Sequence, residues 1–267
     1  MSTVAIVQAR TSSSRLPGKV LLPLNGIPMI LFQLERLKRC KKLSRVIVAT
    51  SVDQSDDKLA YILRASGVAV FRGSLDDVLD RYLACAKQVS ASTIVRLTGD
   101  CPLLDPGCID EVIHEFNAGS WDYISNAAIK KLQNIPQGLD VEVFRLSVLE
   151  TASLKARLPS EREHVTPWMR TREANYRWAH FRHSIDRPFF RLTVDYNVDY
   201  ILISKIVDSL SSGPDGDASP LSPVYDIDNL ICFMNAHPEL ARSNSGIDPS
   251  EGYLLSLSKD LECQFDS

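Results

Sequence analysis

TVAIVQARTSSSRLPGK, residues 3–19, joins a short apolar run, Thr3–Gln8, to a loop rich in hydroxyls and cations. The β-branched run reads as a strand, and the same alternation of runs and amphipathic stretches continues downstream. Pro28 to about Arg39 reads as a helix, Arg45–Thr50 as a second strand, and Ser55–Ser66 as a helix that Gly67 ends. Val68–Phe71 is a third strand, Asp76–Val89 a helix and Thr93–Thr98 a fourth strand. Four strands with three intervening helices predict an α/β fold with a mostly parallel sheet flanked by helices. Ligands in such sheets bind outside the carboxyl ends of the strands, so the loops after Gln8, Thr50, Phe71 and Thr98 matter most.

The reading is less regular from Asp105-Pro106 onward, a pair with the signature of an N-cap and first helical residue. Trp121–Ser125 and Val141–Phe144 read as short strands. Ser160-Glu161-Arg162-Glu163 has the spacing of a capping box opening a helix towards Met169. Phe189–Val194 is strand-like and Val198–Leu210 shows helical periodicity. Residues 211–223, SSGPDGDASPLSP, read as a loop or linker. The expected organisation is thus one α/β domain over 1–210, a linker over 211–223 and a C-terminal appendage over 224–267. The appendage is too short for a core of its own.

Composition excludes several classes. The 267 residues are 45% hydrophobic and 24% charged, as in an ordinary folded protein. No apolar run approaches the length of a membrane span, because Pro23, Asn25, Gly26 and Pro28 interrupt the longest candidate, and no secretory signal is visible. Cys40, Cys85, Cys101, Cys108, Cys232 and Cys263 form no CxxC pair, which argues against zinc and disulfides and suits free thiols in the cytoplasm. The net charge of -3 gives no support to nucleic-acid binding. That total hides an asymmetry: residues 1–50 carry nine basic side chains and one acid, leaving 21 basic and 32 acidic ones beyond. The Lys38-Arg39-Lys41-Lys42 run is explained by solvation and the end of a helix. The loop after the first strand is not.

Arg10, Arg15 and Lys19 sit there among Thr11, Ser12, Ser13 and Ser14. Polyphosphate recognition uses such a mixture, with N–H and hydroxyl donors cradling oxygens and cations neutralising charge. Gly18-Lys19 lacks the earlier glycine of a Walker A loop, and the chain has no GxGxxG fingerprint. A solvated surface loop is the competing reading.

QARTSSSRLPGK at 8–19 and VRLTGDCPLLDP at 95–106 resemble the cytidylyltransferases that make CMP-activated sugars of the acylneuraminate and 3-deoxy-manno-octulosonate type. PQGLDVEVF at 136–144, EREHVTP at 161–167, LTVDYNVDY at 192–200, HPELARSN at 237–244 and EGYLLSL at 251–257 extend the resemblance, closest to the branch of spore coat polysaccharide biosynthesis protein F. Uridylyl- and guanylyltransferases instead carry a glycine pair where this chain has Ala9-Arg10. The resemblance implies a Rossmann-like sheet of the nucleotide-diphospho-sugar transferase type. It also implies Mg²⁺-dependent transfer of CMP from CTP to a sugar, pyrophosphate release, and a homodimer.

Carried over by position, Ala9, Arg10, Ser12, Ser14, Arg15 and Lys19 would hold the nucleotide, joined by Arg72 and Gly73 after the third strand. Arg15, Lys19 and Asp100 would be catalytic. Asp100, after Thr98-Gly99, and Asp195 would hold Mg²⁺, whose hard-cation chemistry suits carboxylate and phosphate oxygens. Asp199 competes with Asp195 for that role. Tyr196 and Val198 replace residues of the T-P-E type that commonly follow the second aspartate. Gln137, Asp140, Glu142 and His164 would lie on the sugar side, although Asp140 and Glu142 also read as edge charges of a strand and His164 as a helix-face residue satisfied by its neighbours. Arg96, inside a strand, is expected to pair with an acid. His180 and His183 would point to opposite faces of a strand, so they share no ligand. Two other functions fit parts of the pattern: a metal-dependent glycosyltransferase, which needs no triphosphate loop, and a non-catalytic nucleotide-binding protein.

Overall fold

The computed structural model describes residues 2–127, 132–171, 173–188, 190–212, 219–248 and 251–265, with no side-chain description for 263–265. Residues 213–218 of the expected linker, Asp215-Gly216-Asp217 among them, and the Cys263 side chain lie outside the described residues.

Strands β1 (Thr3–Gln8), β4 (Arg45–Ser51), β5 (Val70–Gly73) and β6 (Thr93–Thr98) form the parallel half of the sheet, in the order β5-β4-β1-β6. The chain then reverses. β8 (Glu142–Arg145) is antiparallel to both β6 and β7 (Tyr123–Ser125), and β9 (Trp178–His180) is parallel to β7. Six strands therefore run one way and β8 the other. β2 (Pro23–Leu24) and β3 (Ile27–Pro28) make a separate small hairpin.

β1 is buried on both faces, which is why it reads as a continuous apolar run. Its side chains alternate between two cores. Ala5 and Val7 pack with Ile30 and Leu34 of α1 (Met29–Leu37), Leu59 of α2 (Asp57–Ala65) and Ile109 of α4 (Pro106–Ala118). Val4 and Ile6 pack on the other face with α3 (Val78–Gln88) and α5 (Leu146–Lys155). The Asp105 side chain accepts from Cys108 N at 2.8 Å, with Pro106 first in the helix, as the sequence predicts.

Two local expectations are corrected. The helix near residue 160, α6, is Pro159–His164 and stops short of Met169. Its first turn is closed by Glu161, which accepts the N–H groups of Arg157 and Leu158, so the cap lies two residues before the expected Ser160–Glu163 box. Phe189 lies outside the described residues, and among the described residues 190–194 no sheet strand forms, Arg191 alone making an isolated bridge, to Gln137. That extended segment is tied instead to two separate places, through Leu192 N to Gln137 O and Val194 N to Asp100 O, both 2.8 Å. Gly138 permits this approach. Its φ is 95°, and a Cβ there would stand 2.6 Å from the Leu192 carbonyl carbon.

The C-terminal part has no separate core. α7 (Asn197–Ser212) and α8 (Ile227–Ala236) bury Ile203, Ile206, Leu230 and Met234 with Met29 and Phe32 of α1. Arg36 is fully buried beneath them and donates to the carbonyls of Leu104, Pro220 and Tyr225 at 3.2, 3.4 and 2.9 Å. After α9 (Pro238–Arg242), α10 (Glu251–Phe265) packs along α6. Among the described residues, no helix is long and apolar enough to cross a membrane.

Candidate active site

The order β5-β4-β1-β6 puts a topological switch point between β1 and β6, where the chain leaves β1 towards one edge of the sheet and β6 towards the other and so opens a crevice. A cleft of about 640 Å³ lies there. Gln8 and Ala9 enter it from β1, and Thr98, Gly99 and Asp100 from β6. The two ends are stitched by Gly99 N to Gln8 O at 2.8 Å, and a Cβ on Gly99 would lie 3.0 Å from that of Ala9. Small residues at both positions let the backbones meet.

Loop 9–19 is held from outside by a residue the sequence reading did not single out. Asp56 is fully buried. It accepts the N–H and hydroxyl of Thr11 at 2.7 and 2.9 Å, and the N–H and hydroxyl of Ser51 at 3.2 and 2.5 Å. The Thr11 carbonyl in turn accepts from Ser13 N and Gly18 N, both at 2.9 Å. With the loop so folded, Arg10, Ser12, Ser13, Ser14, Arg15 and Lys19 all line the cleft.

Arg15 and Lys19 meet the two aspartates. Lys19 Nζ donates to Asp100 Oδ2 at 2.9 Å, Asp195 Oδ1 at 3.0 Å and the Val194 carbonyl at 2.7 Å. Arg15 Nη2 reaches Asp195 Oδ1 at 3.0 Å while its guanidinium lies 5.3 Å from the Tyr196 ring centre. Burial alone would lower the Lys19 pKa, but the two carboxylates outweigh it and hold the ammonium above its ordinary value. Burial likewise opposes ionisation of Asp195, yet Lys19, Arg15 and Arg191 overcome it and keep the carboxyl far below the usual range.

Asp199 does not line the cleft, whereas Asp195 does. Asp199 is fully buried, and its oxygens accept from Arg191, from Asn244 Nδ2 at 2.8 Å and from the N–H groups of Asp195 and Tyr196 at 3.0 Å. Arg191 also donates to Asp195 Oδ2 at 2.9 Å and to Gln137 Oε1 at 3.2 Å. Asp199 therefore orients Asp195 through Arg191 and through its backbone.

The donor set at Asp100 and Asp195 fits a hard divalent cation. Two cleft-lining carboxylate oxygens converge on one positive charge, that of Lys19, and a cation such as Mg²⁺ takes one or two carboxylates and completes its shell with phosphate oxygens and water. No group of three or more His, Cys, Asp or Glu side chains with metal-site geometry occurs among the described residues, so a cation held by Asp100 and Asp195 would need further ligands from outside the protein side chains.

The other predicted residues divide. His164, at the end of α6, lines the cleft. The Ser256 hydroxyl donates to Tyr253 O at 2.8 Å, so His164 Nε2 is the donor in its 2.8 Å contact with that hydroxyl. Burial lowers the His164 pKa, with Arg96 adding to the effect. Arg72 and Gly73 do not line the cleft. Arg72 instead binds the β4–α2 turn, donating to Ser51 O and Asp53 O at 2.7 and 2.9 Å and pairing with Asp57. Gln137, Asp140 and Glu142 are also outside its walls. Glu142 is buried, paired with Arg96 as expected for that arginine, and accepts from Tyr123 Oη at 2.5 Å and Thr166 Oγ1 at 2.6 Å. Asp140 lies just before β8 and accepts from Gln133 Nε2 at 3.1 Å; burial beside Glu142 pushes it up to about 6.

The wall least visible in the sequence is α10. Gly252, Leu255, Ser256, Ser258 and Lys259 face the cleft, and Lys259 pairs with Glu163 at 3.2 Å. Asp260 fastens the helix, accepting Ser160 N and Oγ at 2.8 and 2.6 Å. The only signal for this helix is the EGYLLSL segment. Arg81 and Arg96 complete a lining of six cationic and three anionic side chains, a balance that favours an anionic ligand.

Residues 4–205 match the family described as "Cytidylyltransferase". The chain is 35% identical over 246 residues to the Bacillus subtilis spore coat polysaccharide biosynthesis protein SpsF, covering 88% of this chain and 95% of that one. A 3-deoxy-manno-octulosonate cytidylyltransferase of Geobacter sulfurreducens is 39% identical over 115 residues, 42% of this chain and 44% of that one. Among solved structures, a cytidylyltransferase from Leptospira borgpetersenii superposes with a TM-score of 0.81 at 33% identity, covering 93% of this chain and 99% of that chain.

Proposed function

The chain belongs to the cytidylyltransferase family, and from that premise we propose that it transfers CMP from CTP to a hydroxyl of an acidic, ulosonic-type sugar for cell-surface polysaccharide or glycan biosynthesis. The observation that carries the proposal is the convergence of Arg15 and Lys19 with Asp100 and Asp195 at the carboxyl ends of β1 and β6. The net positive lining suits a triphosphate and an acidic sugar alike. The names of the spore coat and octulosonate relatives support the substrate class.

In the proposed reaction a sugar hydroxyl attacks the α-phosphorus of CTP. A new P–O bond forms, the bond to the β-phosphate oxygen breaks, and the hydroxyl proton is lost. Arg10, Arg15 and Lys19 hold the triphosphate and stabilise charge on departing pyrophosphate. Ser12 and Ser14 supply hydroxyls to the phosphate oxygens. Asp100 and Asp195 would hold a Mg²⁺ ion, which when bound neutralises phosphate charge and helps align the displacement. Arg191 keeps Asp195 ionised and oriented, and Asp56 holds the loop in register. Catalysis by such positioned charge requires no covalent intermediate.

Incubation with CTP, Mg²⁺ and a panel of sugars tests the proposal. Pyrophosphate together with a CMP–sugar adduct is the expected result. Release of a nucleoside diphosphate from a nucleotide-sugar would mark a glycosyltransferase instead, and CTP binding without turnover a non-catalytic protein.

A further inference from the structure

Lys19 has three N–H donors and three acceptors within 3.0 Å, two of them the carboxylates that suit a divalent cation. Its side chain is 9% exposed. A buried ammonium with every proton paired to an anionic or carbonyl oxygen is a specific ion contact, unlike the screened pairing of a surface lysine. Asp195 is engaged further, by Arg15 on the oxygen that Lys19 uses and by Arg191 on the other.

These contacts set a local charge balance. Lys19 and Arg15 offset Asp100 and Asp195, while Arg191 faces the additional carboxylate of Asp199. A divalent ion arriving alone meets a site without net negative charge, and finds a bound cation on Asp100 Oδ2 and on both oxygens of Asp195. CTP changes both conditions. Its triphosphate brings several negative charges and offers Lys19 and Arg15 new acceptors.

We propose that Lys19 is an internal counter-cation that keeps Asp100 and Asp195 closed to divalent metal until a triphosphate draws its ammonium away. The inference rests on the cytidylyltransferase reading of this cleft and adds an order to it: metal and nucleotide bind as a coupled pair. By linkage, whatever nucleotide adds to metal affinity, metal adds to nucleotide affinity. Lys19 thus has two successive partners, the carboxylates first and the phosphates second.

The test is direct Mn²⁺ binding to the full chain without nucleotide, followed by the electron paramagnetic resonance signal of free Mn²⁺. Wild type should bind weakly. Lys19→Met and Lys19→Gln, which remove the charge but keep a side chain of similar length, should each bind Mn²⁺ at least about tenfold tighter, one decade being 1.4 kcal/mol. Lys19→Arg should remain weak, and adding Asp195→Asn to Lys19→Met should abolish the gain. Circular dichroism melting identifies which variants are folded, and either neutral variant suffices for the comparison. Unchanged or weaker Mn²⁺ binding in a folded neutral variant overturns the proposal, as does a gain that survives Asp195→Asn. Failure of wild type to bind CTP overturns the underlying functional reading instead, so the two failures are distinguishable.

Discussion

The cleft has two halves built in different ways. One is loop 9–19 with the ends of β1 and β6, carried by the central strands of the sheet and locked by Asp56. The other is α6 with α10, joined by side-chain contacts across about 100 residues: Asp260 to Ser160, Ser256 to His164 and Lys259 to Glu163. The first half concentrates the groups suited to phosphate and metal chemistry. The second half, whose α10 lies outside the residues 4–205 that match the family, shapes the enclosure. A site can therefore hold its chemistry on the framework of the sheet while its walls are supplied by more distant sequence.

That division predicts a gradient of effects. Asp100→Ala and Arg15→Ala should each lower pyrophosphate release by about 10²–10³-fold or more, with the melting temperature little changed. Near-native turnover in both would remove the chemistry from the first half. Asp56→Ala should come next. It leaves the Thr11 N–H and the N–H and hydroxyl of buried Ser51 without their shared acceptor, so chemical denaturation should show a loss of about 2–3 kcal/mol and steady-state kinetics a raised KM for CTP. A change confined to stability would separate the Asp56 anchor from the site.

Asp260→Ala should cost less, about 1–2 kcal/mol, and alter KM by a few-fold at nearly constant kcat. A 10²-fold fall in kcat would instead place α10 within the chemistry and erase the contrast. The smallest effect concerns pH. Because burial depresses the His164 pKa, the unfolded chain binds that proton more readily than the folded one. Stability should consequently fall as the pH drops below about 6.5, the ordinary histidine value, and His164→Gln should reduce the slope in urea titrations between pH 5 and 7. Equal slopes would show that the histidine carries no linkage.

The same division marks what could be read in the sequence. The parallel half is legible because each strand and its crossover helix are adjacent in the chain, and burial on both faces leaves β1 an uninterrupted apolar run. That Arg15, Lys19 and Asp100 reach the cleft is legible because crevices in such sheets form outside the strand ends they follow. Asp195 required family resemblance, since the segment before it is an extended stretch held at Gln137 and Asp100 rather than a sheet strand. Arg72 was misdirected by its place after a strand: the position is right for a ligand, but its guanidinium closes the adjacent turn. Asp56 and α10 act through contacts about 45 and 100 residues away in sequence, which no local periodicity encodes.

Arg36 gives the chain's last quarter a further significance. Its guanidinium is desolvated enough for burial to lower its pKa to about 10, against the opposing pull of Asp226. Two of its three carbonyl acceptors, Pro220 and Tyr225, belong to the segment after α7. Ending the chain at residue 210 would remove those two acceptors together with the α8 cover and leave Leu104 as the remaining carbonyl partner. The tail is therefore bound into the solvation of a buried charge as well as into the wall of the cleft.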